Sequence, residues 1–254
     1  MNEYSAFSKV YDLFMEDIPY RTWCDNLCRL LKERHIEDGL VCELGCGTGT
    51  MTELLAGAGY DMTGIDQSEE MLQEALLKRD ESGLPILYLN QDMREFELYG
   101  TMRAFVSVCD TMNYLLEKED FITVLKLVNN YLDPGGVFLF DLKTRYYFEE
   151  VLGERTEADN EEDASYIWEN YFDPASGINE YALTLFEKQP SGLFRKYEEF
   201  HEQRAYDISE IKEMAEEAGM IFESVLDAED LKPPRTSSER LVVILREKGK
   251  ERIE

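Results

Sequence analysis

Three glycines spaced two apart, Gly45, Gly47 and Gly49, sit in "VCELGCGTGTMTELL" from Val41 to Leu55, directly after an apolar run and directly before a helical pattern. Such a loop lets a ligand approach the backbone closely, because no Cβ stands in the way. A dinucleotide fingerprint needs G-x-G-x-x-G/A so that a pyrophosphate can rest on the helix N-terminus. Counted from Gly45, the third small residue is replaced by Thr50, and Glu43 stands two residues before the first glycine. A carboxylate there suits a ligand with a cationic amino group better than it suits a pyrophosphate.

The ends of the following apolar runs carry acids. Asp66 closes the second, where a carboxylate can accept from both hydroxyls of a ribose. Asp92 closes the third, where it can accept from an adenine amino group while the Met93 amide meets a ring nitrogen, and Cys109 with Asp110 closes the fourth. A nucleoside is implied. Each residue also has a plainer reading: Asp66 and Asp110 as turn residues, and Tyr4, Tyr11, Tyr20 and Trp23 as core aromatics. His201 is either a general base or a hydrogen-bonded structural histidine on a half-buried strand, and His35 reads as structural.

These residues need a frame that brings strand ends together. From Leu40 to Leu142 the runs "LVCEL", "DMTGID", "ILYLNQD", "AFVSVCD" and "GVFLFDL" alternate with "TMTELLAGAG", "SEEMLQEALLKRD" and "EDFITVLKLVNNYLD", whose apolar spacing is near 3.6. That βαβα order predicts a parallel sheet covered on both faces, with every strand's C-terminal end on one rim. Two helices are expected at 7–15 and 20–34. After the core, "SYIWENYFDPASGINEYALTLFEKQPSGLFRKYEEFHEQRAY" predicts a three-stranded antiparallel meander at about 164–206, and the acidic stretch at 153–163 is expected to be a solvated, mobile link. A helix at 207–219, with Asp207 as N-cap and Gly219 as C-cap, and strands near 221–227 and 241–247 resume the core. The expected division is an N-terminal helical lid at 1–34, a cofactor-binding core at 35–150 and 207–254, and a substrate-covering insert at 151–206.

Composition narrows the partners. The 254 residues carry 26 Lys and Arg against 54 Asp and Glu, a net charge of −28, which argues against nucleic acid and anionic membranes. No apolar run approaches the ~20 residues needed to cross a bilayer. The acidic N-terminus lacks a basic export signal. The five cysteines at 24, 28, 42, 46 and 109 form no C-x-x-C pair and read as cytoplasmic free thiols, with no metal site expected. A cytoplasmic monomer or homodimer is the resulting expectation.

"ELGCGTG", "GID" at 64–66, "QDM" at 91–93 and "VCDTMNYL" at 108–115 together resemble the successive motifs of class I S-adenosylmethionine-dependent methyltransferases. The resemblance covers about 35 to 250. It implies a doubly wound, Rossmann-like α/β fold, with a seven-stranded, mostly parallel sheet whose last strand is antiparallel and an inserted antiparallel β meander. It implies that Gly45, Cys46 and Gly47 line the methionyl part of the cofactor above Glu43, that Asp66 holds the ribose, and that Gln67 and Met71 flank the adenine. Asp92 and Met93 would read the adenine edge, and the segment at Cys109 and Asp110 would meet the methionyl amine. The aromatic N-terminus, with Tyr11, Tyr20 and Trp23, is similar to the entry helices of small-molecule members. The meander is similar to the substrate-covering sheets of sugar-amine and glycine-type N-methyltransferases. The implied reaction is N- or O-methylation of a small molecule, with His201 as candidate base. Methylation of tRNA, rRNA or protein, and cofactor binding without turnover, are the alternatives.

Overall fold

The computed structural model describes residues 18–189 and 191–250. The expected helix at 7–15, and Tyr4 and Tyr11 with it, lie outside the described residues. The first described helix, α1, spans Tyr20–Lys32 and buries Cys24, Leu27, Leu30 and Leu31, an i, i+3, i+6, i+7 stripe along one face. There follow β1 (Gly39–Leu44), α2 (Thr50–Gly57), β2 (Tyr60–Asp66), α3 (Glu69–Ser82), β3 (Leu87–Asn90), β4 (Met102–Ser107), α4 (Lys118–Tyr131) and β5 (Leu132–Lys143). Then come β6 (Thr156–Asn160), β7 (Ala164–Asp173), β8 (Ile178–Lys188), β9 (Phe194–Arg204), α5 (Ile208–Glu217), β10 (Ile221–Asp227) and β11 (Arg240–Arg246).

The first sheet has the order β10-β11-β5-β4-β1-β2-β3, and only β11 runs against its neighbours. Its central strands read as unbroken apolar runs because both faces are covered. Phe138, Phe140 and Leu142 of β5 join α4 and α5 in one cluster, while Val137 and Leu139 join α1 and α2 on the other side. The strand order reverses between β1 and β4, which opens a crevice at their C-terminal ends. Every acid singled out on strand ends lies along that rim.

The second sheet corrects two expectations. It has four antiparallel strands, β6-β7-β8-β9, instead of three, and residues 156–160 of the expected mobile link form its edge strand. All five residues of β6 are exposed, so no apolar alternation marks them. The backbone ladder to β7 holds them, from Thr156 opposite Glu169 to Asn160 opposite Ser165, with Ser165 Oγ donating to Asn160 Oδ1 at 2.7 Å, and a charged edge of this kind resists further pairing. A π-helical turn at Tyr147–Leu152 leads into this sheet, and buried Phe148 stacks on Phe172 of β7.

Asn113 fastens the two sheets. It is fully buried in the 3-10 turn Thr111–Tyr114. Its Nδ2 donates to the carbonyls of Lys143 and Arg204, at 3.1 and 2.8 Å, and its Oδ1 accepts from Lys143 N–H at 3.0 Å. Three hydrogen bonds at about 1 kcal/mol each make Asn113→Ala destabilising by about 3 kcal/mol. A melting temperature lower by about 6–12 °C is the expected outcome in calorimetry, given about 2–4 °C per kcal/mol for a chain of this size. An unchanged melting temperature would show that the sheets are held elsewhere.

Candidate active site

The glycine loop is shaped by backbone that side chains resist. Gly45 has φ +68°, and a Cβ there would overlap the methyl and hydroxyl of Thr111. Gly47 has φ +53° and lines the crevice, yet a Cβ on it would meet no protein atom within 4 Å, so the space it leaves open belongs to the crevice itself. Beneath the loop Glu43 is 1% exposed and accepts a hydrogen bond from Thr52 of α2. Burial pushes its carboxyl up to about 8, against the Thr52 bond that favours the charged form, and the charge of Asp66 adds to the rise.

Asp66 closes β2 under the same loop. Its Oδ2 accepts from Gly47 N–H and its Oδ1 from Ser68 N–H, both at 2.8 Å. Burial raises its pKa despite these bonds. Asp92 is held by Arg94 through Nε at 3.0 and 3.1 Å, and this pairing keeps its carboxyl below the usual range. Arg94 also reaches Asp120 at 3.1 Å.

A cavity of about 950 Å³ gathers these groups, at the upper end of the ~300–1,000 Å³ usual for ligand sites. Glu43, Gly45, Cys46, Gly47, Asp66, Gln67, Met71, Asp92, Met93, Cys109 and Tyr20 all line it. At its other end it reaches three strands of the second sheet, at the cross-strand row Asn170, Tyr181 and His201 and the residues flanking that row. His201 is 3% exposed, stands 3.4 Å from the Glu199 carboxylate through Nε2, and meets Tyr114 edge to face.

Two expected cofactor contacts lie outside the cavity lining. Asp110 does not line the cavity: its carboxylate accepts from Arg240 at 2.7 Å and Gln203 at 2.6 Å, and pairs with Lys143 at 3.3 Å. Burial opposes its charge, but Lys143 and Arg240 outweigh burial and hold it ionised. Trp23 is also outside the cavity lining, and the Arg240 guanidinium lies 5.0 Å from its ring centroid. The reason is shared: Arg240 sits between the two and takes both.

Several contributors escaped the sequence reading. Lys78 of α3 donates to the hydroxyls of Thr48 and Thr50, at 3.0 and 2.8 Å, and braces the glycine loop from the side. Thr111 and Tyr114 lie within "VCDTMNYL" and line the cavity, so the motif pointed to them without saying why. Arg94 and Tyr181 carried no local signal. Among the described residues no three His, Cys, Asp or Glu side chains gather as metal ligands, and no helix is long and apolar enough to cross a membrane.

Fold and cavity define a doubly wound α/β protein built to hold a nucleoside, with a loop that favours a cation over a pyrophosphate. Comparison with known proteins specifies the class. The methyltransferase-domain family model matches residues 41–136. The putative methyltransferase YqeM of Bacillus subtilis is 37% identical over 241 residues, covering 94% of each chain. The chain therefore belongs to the class I S-adenosylmethionine-dependent methyltransferases, and S-adenosylmethionine is its cofactor. An S-adenosylmethionine-dependent methyltransferase from Clostridium acetobutylicum has the same architecture, with a TM-score of 0.85 and 27% identity over 97% of this chain and 99% of that one. A dTDP-3-amino-3,4,6-trideoxy-α-D-glucopyranose N,N-dimethyltransferase of Streptomyces venezuelae is 31% identical over 135 residues, 52% of this chain and 55% of its own.

The raised carboxyl of Glu43 has a signed consequence. A group whose pKa rises from 4.5 unfolded to about 8 folded contributes stability that is complete below about pH 4.5 and lost as pH climbs through about 8. The ligand-free Glu43→Gln variant is expected to melt with the wild type near pH 5 and several degrees above it at pH 9. Thermal scans across that interval check this, and parallel curves would show that Glu43 is not strained.

A second expectation concerns Asp66. Asp66→Ala should weaken S-adenosylhomocysteine binding about 10- to 100-fold, the worth of a charge-assisted hydrogen bond of about 1.5–3 kcal/mol, whereas Cys46→Ala should change it little. Calorimetry on both variants, with Asp66→Asn retaining an acceptor for Gly47 N–H, separates ribose binding from loop support. Equal losses in Asp66→Ala and Cys46→Ala would remove the ribose role.

Proposed function

We propose that this methyltransferase acts on a small molecule, at nitrogen or oxygen, enclosed between the sheet rim and the antiparallel sheet. The observation that carries the proposal is the single cavity running from the glycine loop to His201, with room for a cofactor and a compact acceptor together. In this reading Gly45, Cys46 and Gly47 bound the methionyl end above Glu43, Asp66 takes the ribose, and Gln67, Met71, Asp92 and Met93 surround the adenine. Residues 151–206 form the part that covers the acceptor. The small-molecule substrate in the name of the Streptomyces relative and the acidic surface of this chain support the same choice.

S-adenosylmethionine supplies a methyl group on a sulfonium, an already activated leaving arrangement that asks for no nucleophilic side chain. What the chain adds is alignment and exclusion of water, which can supply roughly 7–11 kcal/mol of a barrier. Burial at Tyr181 and His201 dries the acceptor end. His201, oriented by Glu199 and by the Tyr114 ring, accepts the proton that an acceptor hydroxyl or ammonium must lose.

Incubation with tritiated-methyl S-adenosylmethionine, followed by separation of metabolites, bulk tRNA, rRNA and protein, tests the proposal. Label is expected among the metabolites. Salt-sensitive labelling of RNA with nothing in the metabolite pool would overturn it. His201→Ala is expected to slow transfer about 10²-fold or more while S-adenosylhomocysteine affinity stays within about threefold. Loss of both together would make His201 structural.

A further inference from the structure

We infer that Cys24 and Cys28 form a dithiol site that a hydroperoxide oxidises to a disulfide, and that the oxidised chain binds its cofactor less tightly. The inference is independent of which acceptor is methylated. The two sulfurs stand 4.0 Å apart on successive turns of α1. Cys24 is buried and Cys28 half-buried, so a reagent from solvent meets Cys28 first. The other three cysteines turn to partners other than sulfur: Cys42 and Cys46 to backbone carbonyls, and Cys109 to the Tyr20 hydroxyl.

Charge decides which sulfur reacts, because the thiolate and not the thiol attacks a peroxide. The hydrogen bond from Cys24 holds the Cys28 thiol below its ordinary value; burial opposes this, and Lys32 one turn further on adds to the lowering. The same bond, with burial, pushes Cys24 up. Burial raises Cys42, Cys46 and Cys109 as well. Of the five cysteines, Cys28 alone is lowered.

The chemistry closes on these two residues. The Cys28 thiolate attacks the peroxide, so that an S–O bond forms as the O–O bond breaks, and the departing alkoxide or hydroxide takes up the proton that Cys28 gave up. The Cys24 sulfur then displaces the hydroxyl of the Cys28 sulfenic acid: the S–S bond forms, the S–O bond breaks, and hydroxide leaves with the Cys24 proton as water. Two thiols lose two electrons, and the peroxide gains them.

The new bond acts on the cofactor site through α1. A disulfide needs its Cβ atoms about 3.5–4.5 Å apart, whereas side chains four apart on a helix hold theirs at about 5–6 Å. The turn from Cys24 to Cys28 must therefore leave α-helical geometry. That turn carries Leu27, which shares one buried cluster with Leu30, Leu31 and, from α2, Met51 and Leu55; Met51 also lines the cavity. One turn before Cys24 stands Tyr20, which lines the cavity and accepts from Cys109 Sγ at 3.5 Å. A strained disulfide is readily reduced, so a thiol reductant restores the helix.

The test uses the full, reduced chain, treated with a small molar excess of hydrogen peroxide, denatured in N-ethylmaleimide and digested for mass spectrometry. The expected product is tryptic peptide 22–29, which holds both cysteines, short of two hydrogens and unalkylated, with Cys42, Cys46 and Cys109 alkylated. In calorimetry the undenatured oxidised chain should bind S-adenosylhomocysteine about tenfold more weakly, the worth of one aromatic contact, and dithiothreitol should restore the affinity. C24S should stop at the sulfenic acid on Cys28, captured by dimedone. C28S should bind like the reduced chain with or without peroxide, and the wild-type comparison of oxidised with reduced chain stands without either variant. Oxidation first at another cysteine, a bond between two chains, or a Cys24–Cys28 bond that leaves the affinity unchanged overturns the inference. An equal loss of affinity in peroxide-treated C28S does the same.

Discussion

Arg240 donates to Asp110 at 2.7 Å and to Asp141 at 2.5 Å, and through these two acids it fixes the turn on which the crevice depends. Cys109 and Asp110, consecutive residues with side chains, both adopt left-handed backbone, at φ 59° and 54°. Each costs of order 1–3 kcal/mol and persists only where the surroundings hold it. Asp141 accepts from Asp110 N–H at 2.8 Å, and Arg240 bridges the two carboxylates above that bond. The turn ends β4 at the point where strand order reverses, so it sets one wall of the cavity, with Cys109 facing Tyr20 at 3.5 Å. The two acids respond differently to the same arginine. Burial raises Asp141 in spite of Arg240, whereas Lys143 and Arg240 together keep Asp110 charged.

The same cluster reaches the second sheet. Gln203 donates to Asp110 and accepts from the Tyr181 hydroxyl at 2.8 Å, and Tyr181 stands opposite His201 in the strand ladder. Lys143 adds its charge over the Tyr181 ring, 5.8 Å from the centroid. A chain of direct contacts therefore runs from β11 through the β4 turn to the second sheet. Neither the rim nor the antiparallel sheet can shift without breaking a buried, charge-assisted bond, and removing one member would strand charges worth about 3–5 kcal/mol.

What was legible in the sequence follows from how each feature is held. The parallel strands showed as apolar runs because both faces of the sheet are covered, and the acids at 66 and 92 stood out because every parallel strand delivers its end to one rim. The edge strand at Thr156–Asn160 was hidden, since a ladder of backbone bonds leaves no mark on side-chain pattern. The partners of Asp110 and Trp23 were hidden for a different reason. Arg240 lies 130 residues from Asp110 and 99 from Asp141, and Gln203 lies 93 from Asp110, so no local window contains the partners that draw them away. A motif reports which residues stand near a ligand, while the direction of each side chain is decided by charges that the fold brings from elsewhere.

Charge also explains why so acidic a crevice is tolerated. Burial raises both Glu43 and Asp66, which is the mark of carboxylates placed where their own protein supplies too little positive charge. Lys78, the cation that braces the glycine loop, is turned to two threonine hydroxyls, and Arg94 is committed to Asp92 and Asp120. The counter-charge must therefore arrive with the ligand. A sulfonium with an ammonium group brings it, and a nicotinamide dinucleotide, whose pyrophosphate would face Glu43, does not. The instability stored beneath the glycine loop in the ligand-free chain thus becomes binding selectivity once the cofactor enters.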